Sequence, residues 1–262
     1  MRRYLSRVWS GREHRERTWG QPPSENGASS FHLIWDIPQI PLTEVSATLE
    51  VLVQPRVRRL YFWALQVSFA AERRLHGGGH VGLQWNPGFP GATAVNWGGY
   101  APQHEGGAVL RGSASRLPSA KRDPNTRDYP WEVGHRYRLK VTAGDEAPSG
   151  LYAWRGSIND LDGGGITVIR DLYSTGSYLV APMVWSEVFA RCEQPSVSVR
   201  WSDLRAVSAG GEVVRPRLVR VNYQARHDGG CDNTNVGSDE LGVLQVTSVQ
   251  RQVAQGALFP VP

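Results

Sequence analysis

From Phe31 onward, apolar residues recur at every second position in short runs separated by turn-forming residues. In residues 48–53, Leu49, Val51 and Val53 share one face. In residues 61–69, Tyr61, Trp63, Leu65, Val67 and Phe69 share one face, and Phe62, Ala64, Gln66 and Ser68 share the other. A strand with apolar residues on both faces is expected at the centre of a sheet, covered on each side. Val81, Leu83 and Trp85 alternate with Gly82, Gln84 and Asn86. The turn residues Asn86, Pro87, Gly88, Pro90 and Gly91 then lead into a strand over 93–97, so the two strands read as a hairpin. Tyr137, Leu139 and Val141 alternate with Arg136, Arg138, Lys140 and Thr142, the pattern of a half-exposed strand. Further strand signals fall at 151–157, 166–170, 178–185, 197–201, 213–223 and 243–249, with glycine-rich turns between them. The best helical stretch, residues 186–192, is too short for more than two turns. The pattern predicts an all-β chain folded as a two-sheet antiparallel sandwich of the jelly-roll kind.

The chain has 262 residues and shows no internal repeat, which argues against a propeller or solenoid. No linker interrupts residues 30–252, so one sandwich domain is expected over 29–252, with a C-terminal tail over 253–262. Residues 1–28 are polar, Arg-rich and broken by Pro22, Pro23 and Gly27, and read as a flexible basic arm. All but two of the 29 basic side chains are Arg, the exceptions being Lys121 and Lys140. Only residues 2–17 cluster them, and no nucleic-acid motif accompanies the cluster, so nucleic acid is not an expected partner. No apolar run is long enough to span a bilayer, and the N-terminus lacks the apolar core of a signal peptide. The expectation is therefore a cytoplasmic protein, or a secreted one if the true start lies elsewhere. Cys192 and Cys231 match no zinc spacing; in a reducing compartment two buried thiols are expected, with a disulfide as the alternative.

Several clusters offer chemistry. Gln84 and Asn86 share a strand face, Asn96 and Trp97 follow in the next strand, and Tyr100 comes just after it. Amides bond hydroxyls in both directions and flat rings stack on sugar C–H groups, so these residues suit a saccharide. Trp85 points with Val81 and Leu83 and reads as core. His76 and His80 flank three glycines; as metal ligands they would need a third group such as His104 or Glu105, and loop histidines are the plainer reading. Residues 159–163, Asn-Asp-Leu-Asp-Gly, match the opening of a calcium loop, but the later acidic ligand is missing and a hairpin turn explains them equally. A structural calcium stays open. Glu187, in Trp185-Ser186-Glu187 and close to apolar residues, is the best single acid/base candidate, with a surface salt bridge as the plainer reading, while no paired-carboxylate motif of a glycosidase is present.

Trp131, Gly134, Tyr137, Leu139 and Val141, followed by Trp154, Gly156, Ile158 and Asp160, resemble the concanavalin-like jelly rolls. The resemblance implies a sandwich with a concave face and, as common uses, glycan binding or cleavage; carrying function from fold is analogy. Three readings follow. The first is a non-catalytic domain binding a saccharide or other polyhydroxylated ligand through Gln84, Asn86, Asn96, Trp97, Tyr100 and Trp154. The second is an enzyme acting on a polysaccharide or small metabolite, with Glu187 as acid/base and His80 or Tyr100 assisting. The third is an assembly module whose basic arm contacts a partner. The oligomeric state is not legible.

Overall fold

The computed structural model describes residues 16–262. Its strands are β1 (Ser29–Trp35), β2 (Leu42–Val53), β3 (Tyr61–Ala71), β4 (Arg74–Trp85), β5 (Thr93–Tyr100) and β6 (Thr126–Asp128). There follow β7 (Arg136–Ala143), β8 (Tyr152–Asp160), β9 (Ile166–Ser174), β10 (Tyr178–Val188) and β11 (Ser198–Ser208). The chain closes with β12 (Val213–Val214), β13 (Leu218–Tyr223), β14 (Thr234–Asp239), β15 (Gly242–Thr247) and β16 (Leu258–Pro260). Among the described residues the only helical pieces are three short 3-10 turns, and no helix is long and apolar enough to cross a membrane.

All pairings are antiparallel and fall into two sheets. The front sheet runs β6-β5-β4-β3-β10-β1-β13-β16. The back sheet runs β9-β8-β7-β2-β11-β15-β14, with β12 also on β11. A single pairing, Leu179 with Leu42, joins them. Strand alternation sends one side chain in two inward from each sheet, and these close the core. Trp63, Trp97, Leu65, Leu83, Phe31 and Leu33 come from the front, and Leu49, Leu139, Tyr137, Val199 and Trp201 from the back. The expected sandwich, the central placement of β3 between β10 and β4, and the β4–β5 hairpin are all present.

Three local expectations differ, at 213–223, in the tail and in the arm. The 213–223 run is two strands, because Pro216, which has no N–H to give a ladder, lies between β12 and β13. Residues 186–192, too short a pattern for a helix, form none: their first part completes β10, held by β1 and β3 on either side. The stretch read as a tail carries β16, whose Val219–Phe259 pairing with β13 extends the front sheet. Within the stretch read as a flexible arm, residues 17–28 are bonded to the body. Arg17 N donates to Asp232 Oδ2 (2.6 Å), Gly20 N to Glu193 Oε2 (2.7 Å) and Gln21 Nε2 to the Phe189 carbonyl (3.0 Å). The cluster's earlier arginines lie outside the described residues.

Cys192 and Cys231, 39 positions apart, form a disulfide in place of the two free thiols expected. It ties the loop after β10 to the loop before β14, and both loops also hold the 17–28 segment.

Candidate functional site

Among the described residues no second layer of strands covers the outward face of the front sheet. Strand register sorts its side chains into rows. One row runs Gln84, Phe62, Glu187, Ser30 across β4, β3, β10 and β1. The next runs Asn96, Gly82, Ala64, Trp185, His32, and a third runs Gly98, His80, Gln66, Met183. Rows lie ~7 Å apart along the strands. Small residues at 64, 82 and 98 lower the middle of this surface, and Asn26 on one side and Asp123, Asn125 and Thr126 on the other wall it in. The result is a cleft that continues past Gln66, His80 and Tyr100 toward His76, Pro102, His104 and Glu105.

Glu187 lies on the cleft floor, half-buried. Asn26 Nδ2 donates to its Oε1 at 2.8 Å. Burial raises its carboxyl above the usual glutamate range, and the hydrogen bonds from Asn26 and Ser30 only partly oppose this. His80 packs edge-on against Phe62 (5.5 Å between centroids) and Trp185 (5.6 Å), with Tyr100 at 6.2 Å. Burial among these rings pushes its pKa down to about 4, so the imidazole is neutral near pH 7. Burial also lowers His32, whose Nδ1 has no partner.

The amides are fixed by their neighbours. Trp185 Nε1 can only donate, so its 2.9 Å bond to Gln66 assigns that acceptor as Oε1 and leaves the Gln66 –NH2 as a free donor at the cleft. Asn86 Nδ2 donates to Gln84 Oε1 (2.9 Å), and Asn96 Nδ2 to Thr126 Oγ1 (2.9 Å). Asn96 Oδ1 and Asn125 Oδ1 are buried without partners among the described residues. The cleft thus offers both donors and acceptors around one desolvated carboxyl.

Of the residues singled out from sequence, Glu187, His80, Gln84, Asn86, Asn96 and Tyr100 meet in this cleft, with Tyr100 51% exposed. Trp97 and Trp154 do not. Both are buried between the sheets, and their Nε1 atoms donate to the Trp154 and Gly176 carbonyls. Asn96 and Trp97 are consecutive on one strand, so only one of them faces outward. Residues missed in the sequence include Gln66, Trp185 and His32, each in phase with a recognised cleft residue on its own or a neighbouring strand. Asn26, Asp123 and Asn125 sit on loops, where no periodicity marks them. His76, His80, His104 and Glu105 line one stretch of the groove, yet among the described residues no three His, Cys, Asp or Glu side chains are grouped to hold a metal. His76 Nδ1 instead meets Thr175 Oγ1 at 2.8 Å. In the candidate calcium loop, Asp160 Oδ1 accepts the backbone N–H groups of Asp162 and Gly163, and Asp162 is forked by Arg136, so the turn and an ion pair use these oxygens.

No family model matches the chain, and no curated protein matches it. Solved structures give looser likenesses. Scytalido-glutamic peptidase with a peptide-based transition-state analogue superposes with a TM-score of 0.42 at 12% identity, over 87% of this chain and 98% of that one. SCP-B, a peptidase of the eqolisin family in complex with the tripeptide Ala-Ile-His, gives 0.42 at 13% identity over the same shares. These neighbours are β-sandwich proteins, and neither likeness singles out the concanavalin-like group. An overlap this loose assigns no role to any residue here.

Proposed function

We propose that the chain is a hydrolase in which Glu187 acts as general acid/base on a polar substrate lying in the front-sheet cleft. The observation that carries this reading is the burial of a single carboxyl, raised in pKa, on the floor of an open amide-lined cleft. A carboxyl with a raised pKa exchanges protons closer to neutrality, as general acid–base catalysis needs. Glu187 would take a proton from water attacking an acyl or glycosyl carbon and return it to the leaving group. The –NH2 of Gln66, held by Trp185, would donate to the oxygen on which charge develops. Among the described residues, Asp123 is the one other carboxylate that lines this stretch of the cleft. The test is a panel of casein and soluble polysaccharides incubated with the wild type and with Glu187→Gln. The expected result is cleavage of one class, reduced at least about 100-fold in the variant. Full activity in Glu187→Gln would remove the carboxyl from the mechanism.

A second reading is favoured by the lining of Gln84, Asn86, Asn96 and Asn125: a non-catalytic site for a saccharide or other polyhydroxylated ligand. It predicts saccharide binding that survives Glu187→Gln, with no turnover by the wild type in a glycan array followed by product analysis.

A further inference from the structure

Arg170 is 4% exposed, yet among the described residues neither it nor its neighbour Arg127 joins any salt bridge, although eleven ion pairs engage nine other Arg and Lys side chains. Arg127 stands on β6, the outer edge of the front sheet, in register with the core residue Val95. Arg170 stands on β9, the edge of the back sheet, in register with Gly156, whose missing Cβ would meet the core ring of Trp97. Both side chains therefore turn into the sandwich at the same open edge. They share one acceptor, the Pro124 carbonyl, which receives Arg170 Nη1 at 2.7 Å and Arg127 Nη2 at 3.3 Å. Each keeps a buried Nε–H with no partner among the described residues. Gly112 lies bare beside Arg170: a Cβ there would stand 2.3 Å from Nη2 and 2.9 Å from Nε. Burial, and then the charge of Arg127, make the Arg170 guanidinium harder to keep charged, and the Asp123 carboxylate and Tyr173, neither bonded to it, only partly oppose this.

Two like charges with orphaned donors at one buried edge are costly unless something negative joins them. A guanidinium fork fits the oxygens of a tetrahedral or planar oxyanion better than a halide. We propose that Arg127 and Arg170 form a binding site for a small oxyanion such as phosphate, sulfate or a carboxylate, behind the cleft wall carried by Asp123 and Asn125. The site is distinct from Glu187, and its failure would leave the hydrolase reading untouched.

The test is thermal melting of the full chain in sodium phosphate, sulfate or acetate, with ionic strength matched by sodium chloride. The expected result is a saturable rise in Tm, about 3 °C or more at saturation, with at least one of the three. Arg127→Met, at the half-exposed member of the pair, is expected to weaken the apparent affinity at least about tenfold. Arg127→Lys, which keeps the charge and loses the fork, decides the matter if the Met variant does not fold, and should weaken it also. A rise no larger than chloride gives, or an equal saturable rise in whichever variant folds, would overturn the site and leave water as the partner of the two Nε–H groups.

Discussion

Glu187 and His80 share the cleft floor and are perturbed in opposite senses. Burial raises the Glu187 carboxyl, so the folded chain holds that proton more tightly than the unfolded chain. Glu187 therefore adds stability as pH falls through its folded pKa. His80 titrates at about 4 when folded against 6.5 when free, so between these values the unfolded chain takes up a proton that the folded chain refuses. It removes stability as pH falls through that window, by about 3 kcal/mol at the most. Urea unfolding at a series of pH values is expected to show His80→Gln losing less stability than the wild type between pH 6.5 and 4. Across the core, on β8 of the back sheet, a Cβ on Gly156 would stand 2.4 Å from Trp97 Cγ. Gly156→Ala should cost about 1–3 kcal/mol in the same measurement, because a fully buried indole has nowhere to move. Residue by residue, the site was half legible. Glu187 announced itself as a lone carboxylate among apolar neighbours. Trp97 misled because aromatic character and nearby glycines outweighed its phase with Val95.

At the level of elements, the outward face of the back sheet gives part of the basic side chains carboxylate partners. On β2, β7 and β11 the outward positions carry charges that alternate in sign from strand to strand. Arg138 meets Asp203, Lys140 and Arg205 both meet Glu44, and Arg200 sits between Glu50 and Asp239. Exposed pairs of this kind contribute little each and weaken in salt. Arg200 differs, with a side chain 14% exposed and bonds to two carboxylates. Arg200→Met is expected to cost about 2 kcal/mol in chemical unfolding, and more than Arg136→Met, whose side chain is 55% exposed. The half-exposed strand over 136–142 was readable from alternation alone, since each polar residue there faces water or a cross-strand charge. β16 and β6 were not readable, because three residues are too few to display a period of two.

For the whole molecule, the sandwich was legible and its fastenings were not, because alternation reports faces while cross-links join points distant in sequence. The disulfide closes a 39-residue separation, worth about 4 kcal/mol in chain entropy. The segment 17–28 bridges the two loops it joins, through Glu193 on one side and Asp232 on the other, and ends with Asn26 on the Glu187 carboxyl. Dithiothreitol or Cys231→Ser should therefore lower Tm markedly. In a functional assay it should also shift the acid/base profile of Glu187 upward, since losing the Asn26 bond removes support for the carboxylate form. The closed loop has a mechanical consequence too. If the chain is pulled from its ends, β16 peels from the sheet edge first, while β1, clamped between β10 and β13, bears the load in shear. Between the clamps the oxidised protein withholds about 13 nm of contour length that only the reduced protein can pay out. Single-molecule extension would therefore read the redox state of this one bond directly.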